Sequence, residues 1–392
     1  MLTHFFKLIW NKKKQNFLLL TEILVAFLVV FGIFSSLVFY YNNYKRPAGF
    51  DHEKVWTINF SDHKPGTKNK DSLEMIYKAI RQRLLAMPEV KDVAYASYNT
   101  PFSANVNGGD AKYKGRSYGS DWFYGDDHYD DVLKVQMVAG RWFSEKDNGA
   151  RNPPVVINET LKNEMFGSED PIGKEVEAED AKRTIIGVVA DLKERGDYAS
   201  SYKGFYQRAD TSFYDWVGVM LMRVNPSADA SFESRLYTSL TGMLKGASVE
   251  IEHMEDKRVA KNKQTIVPMI VAMVIGGFLI INVALGLFGV LWYNISRRRQ
   301  EIGLRRAIGA TAGNVSTQII SETLVLTTLS LILGLFFAVQ FPLMHVFDLP
   351  AQVYIWAMVL AVSFIYLLVI LCALYPGREA AAIYPAIALH ED

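Results

Sequence analysis

Polar and apolar positions fall into long separate blocks along this chain. Four stretches stay apolar for about 20 residues or more: 17–41, 266–293, 319–341 and 354–375. An α-helix rises about 1.5 Å per residue and a hydrocarbon core is about 30 Å thick, so each stretch is long enough to cross a bilayer. None contains Lys or Arg, and the acids inside them are Glu22 and Glu322. The first is too long for a cleaved leader and reads as an uncleaved anchor. Between the first two lie about 224 residues, 42–265, of mixed polarity. That is enough for a domain with its own core.

Charge orients these blocks. Residues 1–16 carry Lys7, Lys12, Lys13 and Lys14. The loop 294–318 carries Arg297, Arg298, Arg299, Arg305 and Arg306 against Glu301, and the short loop before the fourth block has no Lys or Arg. Short basic flanks remain cytoplasmic. Both termini, the 294–318 loop and the tail 376–392 are therefore expected in the cytoplasm, with 42–265 outside it. Lys257, Arg258, Lys261 and Lys263 run against this rule, but loops beyond about 60 residues translocate largely regardless of charge. Residues 1–16 read equally well as an amphipathic segment on the inner surface or as an extension of the first span.

Inside 42–265, Val55–Phe60 reads as a strand. Leu73, Ile76, Tyr77, Ile80 and Leu84 follow at helical spacing, and Val90–Ser97 reads as a second strand. The same order recurs in Val217–Val224, Phe232–Leu244 and Ser248–Met254. Two β-α-β units separated by an insertion at about 98–215 predict a split ferredoxin-like sandwich with a second subdomain. In the insertion, Pro154–Ile157 and Thr184–Ala190 read as strands and Glu159–Phe166 as a helix, while Gly108–Tyr129, rich in Gly, Asp and Tyr, is expected to be loop. Asp126, Asp127, Asp130 and Asp131 around His128 suit either a metal site or a solvated acidic surface, and the surface is the expectation. Glu255–Gln264 reads as a helical stalk entering the second span, interrupted or kinked at Pro268. The fold class is thus a four-helix membrane domain plus a large extracytoplasmic α+β domain.

Composition narrows the function. There are 42 Lys and Arg against 41 Asp and Glu, without the basic excess of a nucleic-acid binder. The single cysteine, Cys372, excludes an intrachain disulfide and a Cys-based zinc site. Phe166–Glu175 superficially evokes a phosphate loop. It has five residues between Gly167 and Gly173, and Glu175 follows the lysine, so it fails the Walker pattern. The chain has no His-x-x-x-His pair. It is expected to be non-catalytic.

The segment Arg297-Arg298-Arg299-Gln300-Glu301-Ile302-Gly303-Leu304-Arg305-Arg306-Ala307-Ile308-Gly309-Ala310 is the most informative stretch. Its charges suit a simple topology anchor. Ile302, Leu304, Ala307 and Ile308 suit a short amphipathic helix offered to a groove on a cytoplasmic partner, with the arginines on lipid headgroups or acidic residues. The residues by themselves leave both readings open. Gly276, Gly277, Gly286 and Gly289 would allow close helix contact, as at a dimer seam. Glu22 is expected at the interface, and Glu322 in a polar contact between packed helices.

That segment resembles the RRxEIGxxRAxGA signature of the FtsX-like permease family, the four-span subunits of MacB-type (type VII) ABC transporters. The tail Tyr375-Pro376-Gly377-Arg378-Glu379-Ala380-Ala381 with Pro385-Ala386-Ile387-Ala388-Leu389 is similar to the family's YPARxAAxxxPxxAL. Val155–Glu159, Phe166-Gly167, Asp170–Lys174 and Ile186–Val189 resemble its periplasmic core domain. The resemblance covers nearly the whole chain. It implies that Arg297, Arg298, Arg299, Glu301, Ile302, Gly303, Leu304, Arg305, Arg306, Ala307, Ile308 and Gly309 contact a separate cytoplasmic ATPase. ATP and Mg would be held there, and this chain would hold no cofactor. It further implies pairing with a second copy or a paralogue in the inner (plasma) membrane, and mechanotransmission to the outer domain for export or efflux of peptides, antibiotics or other small compounds. A membrane-fusion protein or another periplasmic protein would be a further partner. Lipoprotein extraction and regulation of cell-wall hydrolases are the alternatives within the family.

Overall fold

The chain divides into a helical unit, residues 1–42 with 266–392, and an α+β unit, residues 43–265. The structure, a computed structural model, describes residues 13–61, 70–209, 217–244 and 246–382. The basic residues before 13 and the Pro385–Leu389 motif therefore lie outside the described residues. The first apolar block forms α1 (Lys13–Tyr44).

In the α+β unit, β1 (Val55–Ser61), α2 (Lys70–Leu85) and β2 (Val90–Ala96) come first. The insertion follows as β3 (Gly108–Tyr113), β4 (Arg116–Gly125), α3 (Tyr129–Leu133), β5 (Met137–Gly140), β6 (Pro154–Asn158), α4 (Glu159–Phe166), β7 (Glu175–Ala178), β8 (Ala181–Val189) and β9 (Gly204–Arg208). The unit ends with β10 (Val219–Val224), α5 (Ala230–Met243) and β11 (Ser248–His253). The strands from the two ends pair in the order β11-β1-β10-β2. Ile58 is opposite Met220 on one side and Ile251 on the other. Alternation sends Trp56, Ile58 and Phe60 to one face. There they bury Leu73, Tyr77 and Leu84 of α2 and Phe232, Leu236 and Leu240 of α5.

Beyond β2 the sheet continues β4-β3-β7-β8-β6-β9, and β9 returns to pair in parallel with β4. Trp122, Ile157, Leu161, Phe166, Ile185 and Phe205 share one core of this circuit. A second core joins Phe50, Phe123, Tyr129, Trp142 and Tyr206.

Two expectations are corrected here. Gly108–Tyr129 is not loop, because it holds the β3–β4 hairpin, paired from Gly108↔Asp121 to Tyr113↔Arg116. Lys114 (φ 48°) and Gly115 (φ 76°) turn it, and two positive φ angles suit the twist of a two-residue hairpin. Gly109, one of the glycines that suggested loop, serves packing, since a Cβ there would overlap the Trp122 indole. Nor is the acidic run wholly a solvated surface. Asp126 accepts the Tyr95 and His128 backbone N–H groups at 2.9 and 3.0 Å, and Arg208 grips Asp127 at 2.6 Å through two nitrogens. Burial pushes the Asp126 carboxyl up to about 7 and Asp130 to about 6. Asp131 alone of the four is well exposed.

The remaining elements are α6 (Met254–Arg297), α7 (Arg299–Ala307), α8 (Ala312–Leu343) and α9 (Ala351–Ala381). Among the described residues, four helices are long and apolar enough to cross a membrane: α1 from Phe17, α6, α8 and α9. The 44 residues of α6 run about 66 Å at helical rise. Pro268 sits inside this helix without interrupting it. One missing N–H removes one bond, which neighbouring helical turns absorb. In the helical unit, α1 packs Ile23, Phe27 and Phe31 against Leu331 of α8 and Tyr354 of α9. Small residues permit the close approach: Ala357, Ala361 and Ala373 are fully buried, and Gly334 leaves room for the Phe27 ring.

Candidate coupling site

The Arg-rich segment forms α7, nine residues whose positions divide between two faces. Ile302 turns inward, into a cluster with Ile295 at the end of α6, Val315 and Ile319 on α8, and Ala380 on α9. Gly303 is buried beside it. Leu304 and Ile308, one turn apart, point the other way and are 52% and 77% exposed. The apolar ridge expected from the sequence is therefore split. Ile302 anchors the helix, while Leu304 and Ile308, with Ala307 also exposed, face away.

Polar side chains close a ring around this anchor. Glu301 accepts from Arg298 Nε at 3.0 Å and from Arg305 Nη2 at 2.7 Å. Arg305 also donates to Gln318 Oε1 at 2.6 Å, and Gln318 donates to Glu322 at 2.9 Å. Arg298 Nη1 completes the circuit to Glu322 Oε2 at 2.6 Å. The Arg298 and Glu322 side chains are 16% and 23% exposed. Their bond is shielded from solvent more than an ordinary surface pair. Arg306 donates to the backbone carbonyl of Ala381, and Arg297 lies 5.0 Å from the centre of the Tyr293 ring. Arg299 is exposed.

The helix stops at a Schellman motif. Ala310 N–H reaches the Arg305 carbonyl at 3.0 Å and Gly309 N–H the Arg306 carbonyl at 3.2 Å. Gly309 has φ of +105°, a conformation costly to any residue with a Cβ. The next helix begins at once, with Thr311 Oγ1 accepting Asn314 N–H at 3.2 Å.

Other sequence-selected residues take distinct places. A Cβ at Gly276 would overlap Ile33, and one at Gly286 would overlap the Glu22 carboxylate. Both are therefore contacts of α6 with α1 inside this chain. Glu22, expected at the interface, packs against Gly286. Among the described residues, nothing lies within 4 Å of where a Cβ at Gly277 or Gly289 would sit. Sequence reasoning missed Gln318, Ile319 and Ala380. The sole signal for Ala380 was its small-residue tail motif, which is helical as far as Ala381.

A second arrangement lies in the α+β unit, where the segment 193–201 grips both chain entries. Asp197 accepts from Arg258 Nη2 at 2.8 Å, Arg258 Nε at 3.1 Å and Asn262 Nδ2 at 2.7 Å, and its N–H donates to Asn262 Oδ1 at 2.9 Å. Burial alone would raise the Asp197 carboxyl, but the Arg258 guanidinium and Asn262 amide hold it below the ordinary value. The Tyr198 carbonyl accepts from Asn43, the Tyr198 ring stacks on Tyr44 at 5.5 Å, and Lys193 donates to the Tyr44 carbonyl at 3.0 Å. Nearby, buried Glu194 accepts from Tyr206 at 2.8 Å, and burial pushes its carboxyl up to about 8.

Comparisons with known proteins match two stretches of the chain. Residues 23–236 match the model of the MacB-like periplasmic core domain, and 273–385 match the FtsX-like permease C-terminal model. A macrolide export ATP-binding/permease protein MacB of Neisseria meningitidis is 24% identical over 80% of this chain and 50% of its own length. The uncharacterized ABC transporter permease YvrN of Bacillus subtilis is 26% identical over 68% of this chain and 69% of its own. The chain spans about half the length of the MacB relatives it matches. Among solved structures, the periplasmic region of MacB from Actinobacillus actinomycetemcomitans is 19% identical, covering 55% of this chain and 94% of that one with a TM-score of 0.39.

Proposed function

The chain belongs to the FtsX-like permease family with a MacB-like periplasmic core domain, and from that premise we propose that it is the mechanotransmitting permease of an ABC transporter for export. A separate cytoplasmic subunit binds ATP and Mg and docks on α7. Both termini and the 294–318 segment face that subunit, and residues 42–265 lie on the other side of the membrane. Spans at 17–41, 266–293, 319–341 and 354–375 connect the two sides.

The observation that carries this reading is the two-faced α7. Ile302 and the Arg298–Glu322–Gln318–Arg305–Glu301 ring fix one side to α8 and α9. Leu304 and Ile308 remain exposed on the other. A rigidly backed apolar pair flanked by arginines suits a groove with an acidic rim, and a push there moves α8 and α9 with it. At the far end, the grip of Asp197 on Arg258 and Asn262, with that of Tyr198 on Asn43 and Tyr44, supports transfer of the stroke into the outer domain. The strand order β11-β1-β10-β2 supports the split ferredoxin-like reading, with the insertion as an added subdomain.

Pairing with a second copy or a paralogue uses α6. Only 6% of its most apolar stretch is buried, against 28–33% in the other three span helices. Gly277 and Gly289 lie on its open positions.

The test is purification of the chain with its ATP-hydrolysing subunit. Leu304→Ser with Ile308→Ser should abolish co-purification while membrane insertion persists. Retention of the subunit by that variant would refute docking through α7.

A further inference from the structure

The turn between α8 and α9, residues 344–350, is held in a conformation that its composition does not favour. His345, Phe347 and Asp348 have positive φ angles of 50°, 60° and 49°. None is glycine, and such angles are costly for a residue with a Cβ. The surroundings fix them. Tyr354, near the start of α9, is 1% exposed, and its ring lies 6.2 Å from those of Phe31 and Phe341. From there its hydroxyl donates to the Val346 carbonyl. Asp348 N–H donates to the His345 carbonyl at 3.1 Å, and Leu349 packs against the core of the helical unit. The result is a two-faced turn. Val346 and Leu349 are half-buried. Leu343, Met344 and Phe347 are 68%, 70% and 79% exposed, and the last value is the highest among the described large apolar side chains.

Depth identifies what receives these side chains. Glu322 and Leu343 both lie on α8, 21 positions apart. At helical rise that is about 32 Å, close to the hydrocarbon thickness of about 30 Å. With Glu322 and its Arg298 partner at one edge of the hydrocarbon, Leu343 and the turn after it reach the other. Asp348 is the sole Asp, Glu, Lys or Arg of the turn. The first turns of α9 present Trp356, 60% exposed, a residue type enriched where hydrocarbon meets headgroups. We propose that Leu343, Met344 and Phe347 insert into the lipid interface at this end of α8 and α9 and anchor the pair there. The anchor fixes the depth of both helices, so that a push on α7 is not lost as sliding of the pair along the membrane normal. The inference rests on the spans of the export reading and goes beyond that reading by assigning a lipid-binding surface.

The test uses the full chain in nanodiscs of phosphatidylcholine and phosphatidylglycerol, where aqueous iodide reaches both faces. Cys372 is the sole cysteine, so Cys372→Ala gives a background for single fluorescent labels. Phe347→Cys takes one label. Met344→Cys takes another with the Phe347 ring kept, so the reading survives if the first variant disturbs the turn. Phe336→Cys, in the apolar block of α8 and 63% exposed, is the lipid reference, and Lys146→Cys, exposed in the α+β unit, is the water reference. The labels at 347 and 344 are expected to be quenched about twofold more by lipid with a nitroxide near the headgroup than by lipid with one at the chain end. Both should resist iodide relative to the label at 146. Adding Phe347→Asp to Met344→Cys should raise iodide quenching about threefold, because a carboxylate draws the turn into water. Iodide quenching equal to that at 146, or no change on adding Phe347→Asp, would overturn the inference. So would shielding from both iodide and nitroxide lipid, which would assign the surface to a second copy or another protein. Lipid at 336 with water at 347 refutes the anchor alone, whereas water at 336 refutes the spans and the export reading with them.

Discussion

Removing the Glu322 carboxylate tests whether the polar ring holds α7 in place. Arg298 makes four N–H contacts in the ring, two to Glu301 at 3.0 and 3.3 Å and two to Glu322 at 2.6 and 3.4 Å. Glu322→Gln keeps the shape and one acceptor but deletes the charge. A charge-assisted bond contributes about 1.5–3 kcal/mol, while an exposed pair contributes about 0–1. Arg298 and Glu322 are partly shielded, and Glu301 still compensates Arg298 after the change. The expected loss is therefore about 1–2 kcal/mol of local stability, or roughly five- to thirtyfold faster exchange of α7 amides by local opening. Hydrogen exchange of the full chain in nanodiscs, read over 299–307, measures this directly. The change should shrink in an Arg298→Met background, where the Gln318 bond is the remaining described contact of Glu322. Unchanged exchange in Glu322→Gln, or equal effects in both backgrounds, would refute the ring as the anchor.

Other outcomes follow from the same geometry. Gly309→Ala places a Cβ at φ +105° and should destabilise the end of α7 by about 1 kcal/mol or more, seen as faster exchange confined to 305–312. Asp197→Ala strips three side-chain bonds from Arg258 and Asn262 and leaves the partly buried Arg258 with its Glu255 contact alone among the described residues. It should lower the melting temperature of the chain while leaving co-purification with the ATP-hydrolysing subunit unchanged. Glu194, held near 8 by burial, keeps its proton in the folded state while the unfolded chain loses it near the ordinary value. Stability should therefore fall as pH rises from about 5 to 8, by at most about 1.4 kcal/mol per pH unit for one group. Glu194→Gln should flatten that slope, while Asp126, at about 7, keeps a smaller one. Chemical denaturation of the full chain across that range would show it, and an unaltered slope in the variant would contradict the burial argument.

The linear order of residues determined the elements that depend on near neighbours. Runs of 20 or more apolar positions specify helices long enough for a bilayer whatever they later touch. Alternation in Val55–Ser61 and helical spacing from Leu73 to Leu84 specify their elements because the period itself selects the buried face. The signal weakened where composition and conformation diverge. Gly109 marks strand packing against Trp122 instead of loop, and the acidic run turns partly inward because backbone N–H groups and Arg208 receive it.

Only the tertiary structure decided which face of α7 is spent on anchoring. Ile302 and Leu304 are equally apolar two positions apart, and the choice between them rests on Val315, Ile319 and Ala380 arriving from elsewhere. The ring joins residues 24 positions apart, the Arg306 contact spans 75, and Asn43 meets Tyr198 across 155. Such contacts are selected by the mutual burial and charge pairing of whole elements. Their strength belongs to an assembled environment that no local pattern in the chain contains.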